Sequence, residues 1–210
     1  MQAANKALEW ITKVAYLNIL WILFTVLGAV VLGLFPATAA TFTITKKWIT
    51  GYSDIPIFQT FWRAYRDSFK TANILGLIIS TVSYILYLDF VFITVSPNEY
   101  ALLLTIPFLF ISILFLLTIL YIFPVYVYYE MRVGQILKSA FFIMALNPLP
   151  TVTMLLGLMG ISFILWNFQP LLFFFSMSLA SIALMMPAKK AFEKIQQKKK
   201  YYKSKKLVED

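Results

Sequence analysis

Two long stretches without any Asp, Glu, Lys or Arg, residues 14–45 and 139–188, constrain this chain more than any motif does. A helix that crosses a bilayer needs about 20 consecutive, mostly apolar residues, and a soluble domain has no means of covering charge-free runs of this length. Of the 210 residues, 61% are hydrophobic and 13% are charged. The apolar runs are continuous and do not alternate as the strands of a membrane barrel do. The sequence therefore predicts an all-α, polytopic membrane helix bundle.

The hydrophobic pattern predicts about five transmembrane helices. The Trp166–Pro170 stretch divides the second charge-free run into two spans. The five predicted spans cover residues 14–35, 73–92, 101–123, 151–165 and 171–186.

Basic residues predict how these spans are oriented. In a five-span arrangement the N-terminus, with Lys6 and Lys13, shares one side with the turns at 96–100 and 167–169. All other basic residues fall on the opposite side. The positive-inside rule then places the N-terminus outside and the C-terminus in the cytoplasm of the cell membrane. We expect one transmembrane domain, 1–188, and a polybasic cytoplasmic tail, 189–210.

The first span has a second interpretation, as a signal peptide that ends near Ala37-Thr38-Ala39. Its apolar stretch is longer than a usual signal core. Cleavage there would also place the basic segment 36–70 outside, against the charge distribution.

An amphipathic helix is predicted between the first two spans, beginning after Asp54 and Pro56, because proline is tolerated in the first helical turn. Aromatic side chains at steps of three and four share one face, and Arg63, Arg66, Asp67 and Lys70 take much of the rest. One interpretation is an interfacial helix on the cytoplasmic side that anchors the bundle. The other is a docking element for a cytoplasmic partner. The candidate docking residues are Lys46, Lys47, Trp48, Phe58, Phe61, Trp62, Tyr65 and Arg66.

The residue types that usually carry chemistry are scarce. The chain has no cysteine and no histidine, which removes thiol nucleophiles, the commonest metal ligand and the commonest general base. No Walker loop, dinucleotide fingerprint or zinc motif is present. We therefore expect no cofactor, no metal site, no catalytic residues and no enzyme activity.

Two polar residues at membrane depth are candidates for function. Asn18 lies in the first predicted span and Asp89 near the outer end of the second. An ionisable residue inside a membrane is by default a functional hypothesis. The alternatives are helix packing for Asn18 and solvation at the interface for Asp89.

The order of features also suggests a parallel internal repeat. Phe35-Pro36 and Phe123-Pro124 each end a predicted span, and each is followed by a basic segment, an aromatic pair and a span with a Leu-Gly pair.

The polybasic tail follows the last span directly, and contact with anionic lipid explains its charge most simply. No folded recognition module accompanies it, so we expect no nucleic-acid partner.

The segment from Asn18 to Gly76 resembles the YesL-like family, bacterial membrane proteins with the domain of unknown function 624. The matching blocks are Asn18-Ile19-Leu20-Trp21, Phe35-Pro36-Ala37-Thr38-Ala39-Ala40, Lys46-Lys47-Trp48, Asp54-Ile55-Pro56-Ile57-Phe58, Phe61-Trp62 and Ala72-Asn73-Ile74-Leu75-Gly76. The resemblance implies a Gram-positive bacterium and genes that neighbour ABC-type importers of oligosaccharides. It implies no catalytic residues.

Two functional hypotheses follow. The first is a non-enzymatic accessory membrane protein of an ABC-type carbohydrate importer, in contact with the permease or ATPase subunits through the inner segments. The second is a small transporter or channel in its own right, acting as a single chain or as a homo-oligomer.

Overall fold

The computed structural model describes residues 2–95 and 99–209, with the side chains of 4–95 and 103–197. These residues form seven helices and no strand. The helices are α1 (Gln2–Leu27), α2 (Val31–Ile49), α3 (Ile57–Val95), α4 (Glu99–Tyr128), α5 (Val133–Leu146), α6 (Pro148–Asn167) and α7 (Gln169–Glu209).

Five helices, α1, α3, α4, α6 and α7, are long and apolar enough to cross a membrane. The predicted second to fifth spans fall within α3, α4, α6 and α7 in that order. The predicted turn at Trp166–Pro170 is present between Asn167 and Gln169, while the turn at 96–100 falls largely outside the described residues. The all-α, multi-pass membrane bundle with about five spans is thus confirmed.

The prediction of one continuous helix over residues 14–35 is wrong. α1 ends at Leu27, the chain turns sharply over residues 28–30, and α2 runs back along α1. The turn is tight enough that Val30 has a φ of 62° and the Val31 amide donates to the Ala29 carbonyl at 2.7 Å. At the other end of this hairpin the rings of Trp10 and Trp48 lie 5.5 Å apart.

The hairpin also corrects the predicted sidedness of the N-terminus. Lys13 Nζ lies 3.1 Å from Asp54 Oδ1, so the start of α1 and the segment after α2 lie at the same end of the bundle. The prediction that they lie on opposite sides is wrong, because it took residues 14–35 as one continuous helix, whereas the chain reverses direction over residues 28–30.

Pro36, which the sequence suggested as a helix terminator, lies inside α2. Proline lacks the N–H that would bond to the carbonyl four residues earlier, here that of Leu32. The side chain of Asn73 in α3 supplies a donor instead, with its Nδ2 3.1 Å from Leu32 O. A tertiary contact therefore satisfies the carbonyl that Pro36 leaves free.

α2 is the most enclosed helix, and eleven of its nineteen residues are buried. Small residues, Ala37 to Thr41, let neighbouring backbones approach closely. Buried threonine hydroxyls of α2 are hydrogen-bonded, which offsets the cost of removing them from water. Thr41 donates to Ala37 O, and the Thr45 and Ser181 hydroxyls lie 2.7 Å apart. α2 contacts α1, α3, α4 and α7.

The predicted amphipathic helix and second span form one continuous helix, α3, of 39 residues and about 58 Å. Its first part, residues 57–73, packs along the α1–α2 hairpin, and its apolar part continues to Val95 beside α4. The interfacial helix is therefore an extension of a span.

The halves of the suggested repeat differ in detail. Phe35-Pro36 lies near the start of α2, whereas Phe123-Pro124 lies near the end of α4. The two helices are in contact, with the Phe42 and Phe123 rings stacked 5.7 Å apart. In the second half, the aromatic segment and the following span form two helices, α5 and α6, which are interrupted at Asn147. In the first half, the corresponding parts form one continuous helix, α3. The parallel repeat stays a prediction. At the predicted domain limit of 188, α7 continues without a break.

Cysteine labelling tests the hairpin, since the chain has no native cysteine. We expect Asn5→Cys and Tyr52→Cys to react with a membrane-impermeant maleimide in vesicles of one orientation. Asn167→Cys, at the far end of the α6–α7 hairpin, should react only in the opposite orientation. Labelling of Asn5→Cys together with Asn167→Cys would contradict the hairpin.

Candidate functional site

Two lysines connect three helices, α2, α4 and α7, at one end of the bundle, which we call the basic end. Lys46 Nζ donates to Val127 O in the last turn of α4 at 2.7 Å and lies 5.4 Å from the Tyr128 ring centre. Lys189 Nζ donates to Ile49 O, the last residue of α2, at 3.1 Å. Carbonyls at helix C-termini lack intrahelical donors and favour nearby cations. Each lysine therefore caps the end of another helix.

The structure gives Lys46 and Trp48 internal roles. Lys46 lies outside the five candidate spans and is half-buried, and its desolvation lowers its pKa, against a smaller raising effect from Glu130. Trp48 is 6% exposed. Lys46 and Trp48 thus have contacts within the bundle, and their docking role stays a prediction, while Lys47 is exposed as docking requires.

The aromatic face of α3 is divided in the same way. Phe61 and Tyr65 are buried, with ring centres 5.2 Å from that of Phe24 in α1, and so they anchor α3 to the hairpin. Their predicted contact with a partner stays a prediction that their burial disfavours. Phe58 and Trp62 are 49% and 42% exposed. Phe58 and Trp62 are therefore exposed enough to contact a partner.

The predicted cation on this surface, Arg66, is also exposed. Its guanidinium lies 5.9 Å from the Trp62 ring centre, a cation–π contact. The predicted docking residues that are exposed are Lys47, Phe58, Trp62 and Arg66.

A polar cleft of about 200 Å³ opens between the end of α2 and the start of α3. Its lining, which we call the α2–α3 cleft, consists of Thr43, Lys47, Pro56, Gln59, Thr60, Arg63, Ala64 and Asp67. Sequence reasoning named Lys47 for docking but did not single out this cleft. The spacing of these residues could have indicated the cleft, because residues four apart share a helix face. The pairs with this spacing are Thr43 and Lys47 in α2, and Gln59, Arg63 and Asp67 in α3.

Asn18 joins α1 to the backbone of α7. It is fully buried, its Nδ2 donates to Phe173 O at 2.7 Å, and its Oδ1 accepts from the amides of Met177 and Ser178 at 2.9 and 3.1 Å. In a regular α-helix the Met177 amide would donate to the Phe173 carbonyl. The Asn18 amide group bonds to both partners. This arrangement favours the packing interpretation of Asn18.

Asp89 lines a different cleft, of about 260 Å³, between α3 and α4. The other lining residues are mostly apolar and include Pro107 and Phe108 of α4. Asp89 is exposed, as the prediction of a position near the outer interface requires. Asn18 and Asp89 do not share a site. Among the described residues no three His, Cys, Asp or Glu are grouped so that they could hold a metal ion.

Comparisons with known proteins bear on the same region. The family model described as "Protein of unknown function, DUF624" matches residues 14–90, which include the hairpin and most of α3. The chain is 36% identical over 194 residues to "Uncharacterized protein YesL" of Bacillus subtilis (strain 168), covering 92% of this chain and 91% of that protein. It is 33% identical to "Uncharacterized protein YesV" of the same organism, covering 89% of each. No solved structure matches the chain.

Replacement of Asn18 tests its structural role. Asn18→Ala leaves two α7 amides and one carbonyl without their partner, and unpaired buried groups cost about 1–3 kcal/mol each when they stay unsatisfied. Interhelical hydrogen bonds in membranes are weaker on average, about 0.6 kcal/mol. We therefore expect destabilisation of about 2 kcal/mol, measured by thermal unfolding in detergent.

Asn167→Ala is the matched control, because Asn167 is exposed and bonds only within its own helix, to Phe163 O at 2.8 Å. It should change stability by less than about 0.5 kcal/mol. Equal melting temperatures for the two variants would contradict the bridging role of Asn18.

Proposed function

The chain belongs to the DUF624 family of YesL-like membrane proteins, and on that premise we propose that it is a non-enzymatic accessory protein of an ABC-type carbohydrate importer. Its basic end would contact the permease or the ATPase subunits. The observation that carries the proposal is the exposed Trp62–Arg66 pair at the start of α3, together with exposed Phe58 and Lys47.

We propose that the basic end faces the cytoplasm. Lys13, Lys46 and Lys189 lie there, α4 ends there shortly before Arg132, and the basic tail continues along α7 from Lys189. The positive-inside rule then favours a cytoplasmic basic end. Both termini are cytoplasmic in this arrangement, and the α1–α2 hairpin enters the bilayer and returns.

The proposed docking surface consists of Lys47, Phe58, Trp62 and Arg66. Buried Phe61 and Tyr65 hold this part of α3 against Phe24, so the exposed residues stand on a rigid support. Binding hot spots are enriched in tryptophan and arginine, and a preorganised surface loses little entropy on binding. By analogy, ABC permeases hold their ATPase through a short helix between spans.

Co-purification tests the proposal. We expect carbohydrate-importer permease or ATPase subunits to co-purify with the tagged protein from the membranes of a host that makes both. The Phe58→Ala/Trp62→Ala/Arg66→Ala variant should lose at least about 90% of this association, because the loss of three hot-spot residues costs several kcal/mol. Quantitative mass spectrometry of the purified complex is the measurement.

The matched control is Phe141→Ala/Phe142→Ala/Lys138→Ala, which removes two exposed aromatic residues and one cation from α5. It should retain the association. Recovery of the protein without importer subunits, or equal losses in both variants, would refute the docking role.

The Asp89 cleft supports a second candidate, a small transporter or channel. An ionisable residue lining a cleft between two spans is where a substrate or ion contact is expected. Asn18 no longer contributes to this candidate, because its amide atoms are occupied by α7.

Flux measurements distinguish the transporter or channel candidate from the accessory function. If the protein transports a solute, proteoliposomes that contain it should show flux of an oligosaccharide or an ion, reduced at least about tenfold by Asp89→Asn. Thr94→Val is the control, because the Thr94 hydroxyl bonds only within α3. Absence of flux for a panel of sugars and ions would remove this candidate and leave the accessory function.

A further inference from the structure

The two cations of the α2–α3 cleft differ from the lysines that tie the helix ends together. Lys13, Lys46 and Lys189 each have a carbonyl or carboxylate partner. Within the part of the chain that the structure describes, Lys47 and Arg63 have no ion pair and no hydrogen bond, although they line the same cleft. Two like charges held beside one cavity repel each other, and a bound anion offsets this repulsion.

Other donors line the same cleft. Gln59 and Thr60 belong to the first turn of α3, where the helix dipole is positive, and the Thr60 amide already donates to Pro56 O at 3.0 Å, so the side chains are the donors that remain. Neither side chain has a hydrogen-bond partner among the described residues. The Thr43 hydroxyl is already engaged by Ala39 O at 2.9 Å and adds little. The cleft thus combines a guanidinium, an ammonium, a hydroxyl and an amide.

Charge and size limit the occupant. Asp67 also lines the cleft, so with Lys47 and Arg63 the side chains carry one net positive charge. A phosphodiester monoanion balances that charge, whereas a phosphate dianion exceeds it. The volume of about 200 Å³ is below the ~300–1,000 Å³ of pockets for drug-sized ligands. A small headgroup fits this description.

The surroundings indicate where such a headgroup comes from. Exposed Phe58 and Trp62 lie on the same part of α3 as the cleft, and aromatic side chains concentrate at the level of lipid headgroups. Basic pockets between the helices of membrane proteins on the cytoplasmic side bind phospholipid headgroups. α3 continues directly from this region into a span.

We propose that the α2–α3 cleft binds the phosphodiester headgroup of a membrane phospholipid. Lys47 and Arg63 contact the phosphate oxygens, Thr60 and Gln59 donate further hydrogen bonds, and the acyl chains stay in the bilayer. Asp67 faces the outer part of the headgroup, where an ammonium group such as that of phosphatidylethanolamine pairs with it. This inference does not rest on the importer, although Lys47 belongs to both the cleft and the proposed docking surface.

Native mass spectrometry of the full chain in detergent micelles tests the site. Short-chain phosphatidylglycerol and phosphatidylethanolamine are titrated separately. We expect one lipid adduct per chain, with affinity reduced at least about tenfold in Lys47→Gln/Arg63→Gln, since each basic residue near a lipid surface contributes appreciably to binding. Asp67→Asn should weaken phosphatidylethanolamine binding more than phosphatidylglycerol binding.

Arg132→Gln/Lys138→Gln is the matched control, because it removes one arginine and one lysine from exposed positions at α5 and should leave lipid binding unchanged. Lys47→Arg/Arg63→Lys keeps both charges and should retain at least half of the binding. This conservative variant keeps the test decisive if the charge-removing variant melts early.

Three results would overturn the proposal. Equal lipid retention in the cleft variant and the α5 control would show that the contact is not in the cleft. Equal retention of diacylglycerol would show recognition of acyl chains without the phosphate. Equally tight binding of inorganic phosphate or water-soluble glycerophosphoglycerol would assign the cleft to a soluble phosphate compound and exclude the membrane as its source.

Discussion

Close approach around α2 is the constraint on which the rest of the structure depends. The run from Ala37 to Thr41 contains only alanine and threonine, so four helices can pack against one. In lipid the hydrophobic effect adds little between helices, and packing with interhelical hydrogen bonds must hold them. The Thr45–Ser181 pair and the Asn73–Leu32 bond supply such contacts. Close backbone approach also explains Gly33, where a Cβ would lie 2.5 Å from Thr25 O.

The basic end shows how one residue type serves several purposes. Lys46 and Lys189 cap the C-terminal carbonyls of α4 and α2, and Lys13 pairs with Asp54 to close the hairpin. Lys47, adjacent to Lys46, points instead into the α2–α3 cleft with Arg63. A helix turns by about 100° per residue, so neighbouring lysines face different surroundings. A basic segment is therefore not one functional unit, and its residues have to be assigned one at a time.

Much of the candidate surface was predictable and part of it was not. The steps of three and four in Phe58, Phe61, Trp62 and Tyr65 predicted a shared face, and the structure confirms that they lie on one helix. The same pattern cannot separate the residues that the hairpin buries from those that stay exposed, because it contains no information about how α3 packs against α1 and α2. The length of the first charge-free run already indicated that it does not form a single straight crossing. About 32 residues of helix would extend about 48 Å, more than the ~30 Å hydrocarbon core, and a return of the chain accounts for the excess.

The sequence by itself determined that the chain is a helical membrane protein, which parts of it are apolar spans, and that its basic residues are concentrated outside them. Those properties follow from composition and spacing, since lipid excludes charge and requires internally bonded backbone. Only the tertiary structure decided that the first apolar run turns back, that Asn18 bonds to the α7 backbone, and that Lys47 meets Arg63 in a cleft. Each of these depends on contacts between residues far apart in the chain, and helical periodicity reports only on neighbours within a few turns.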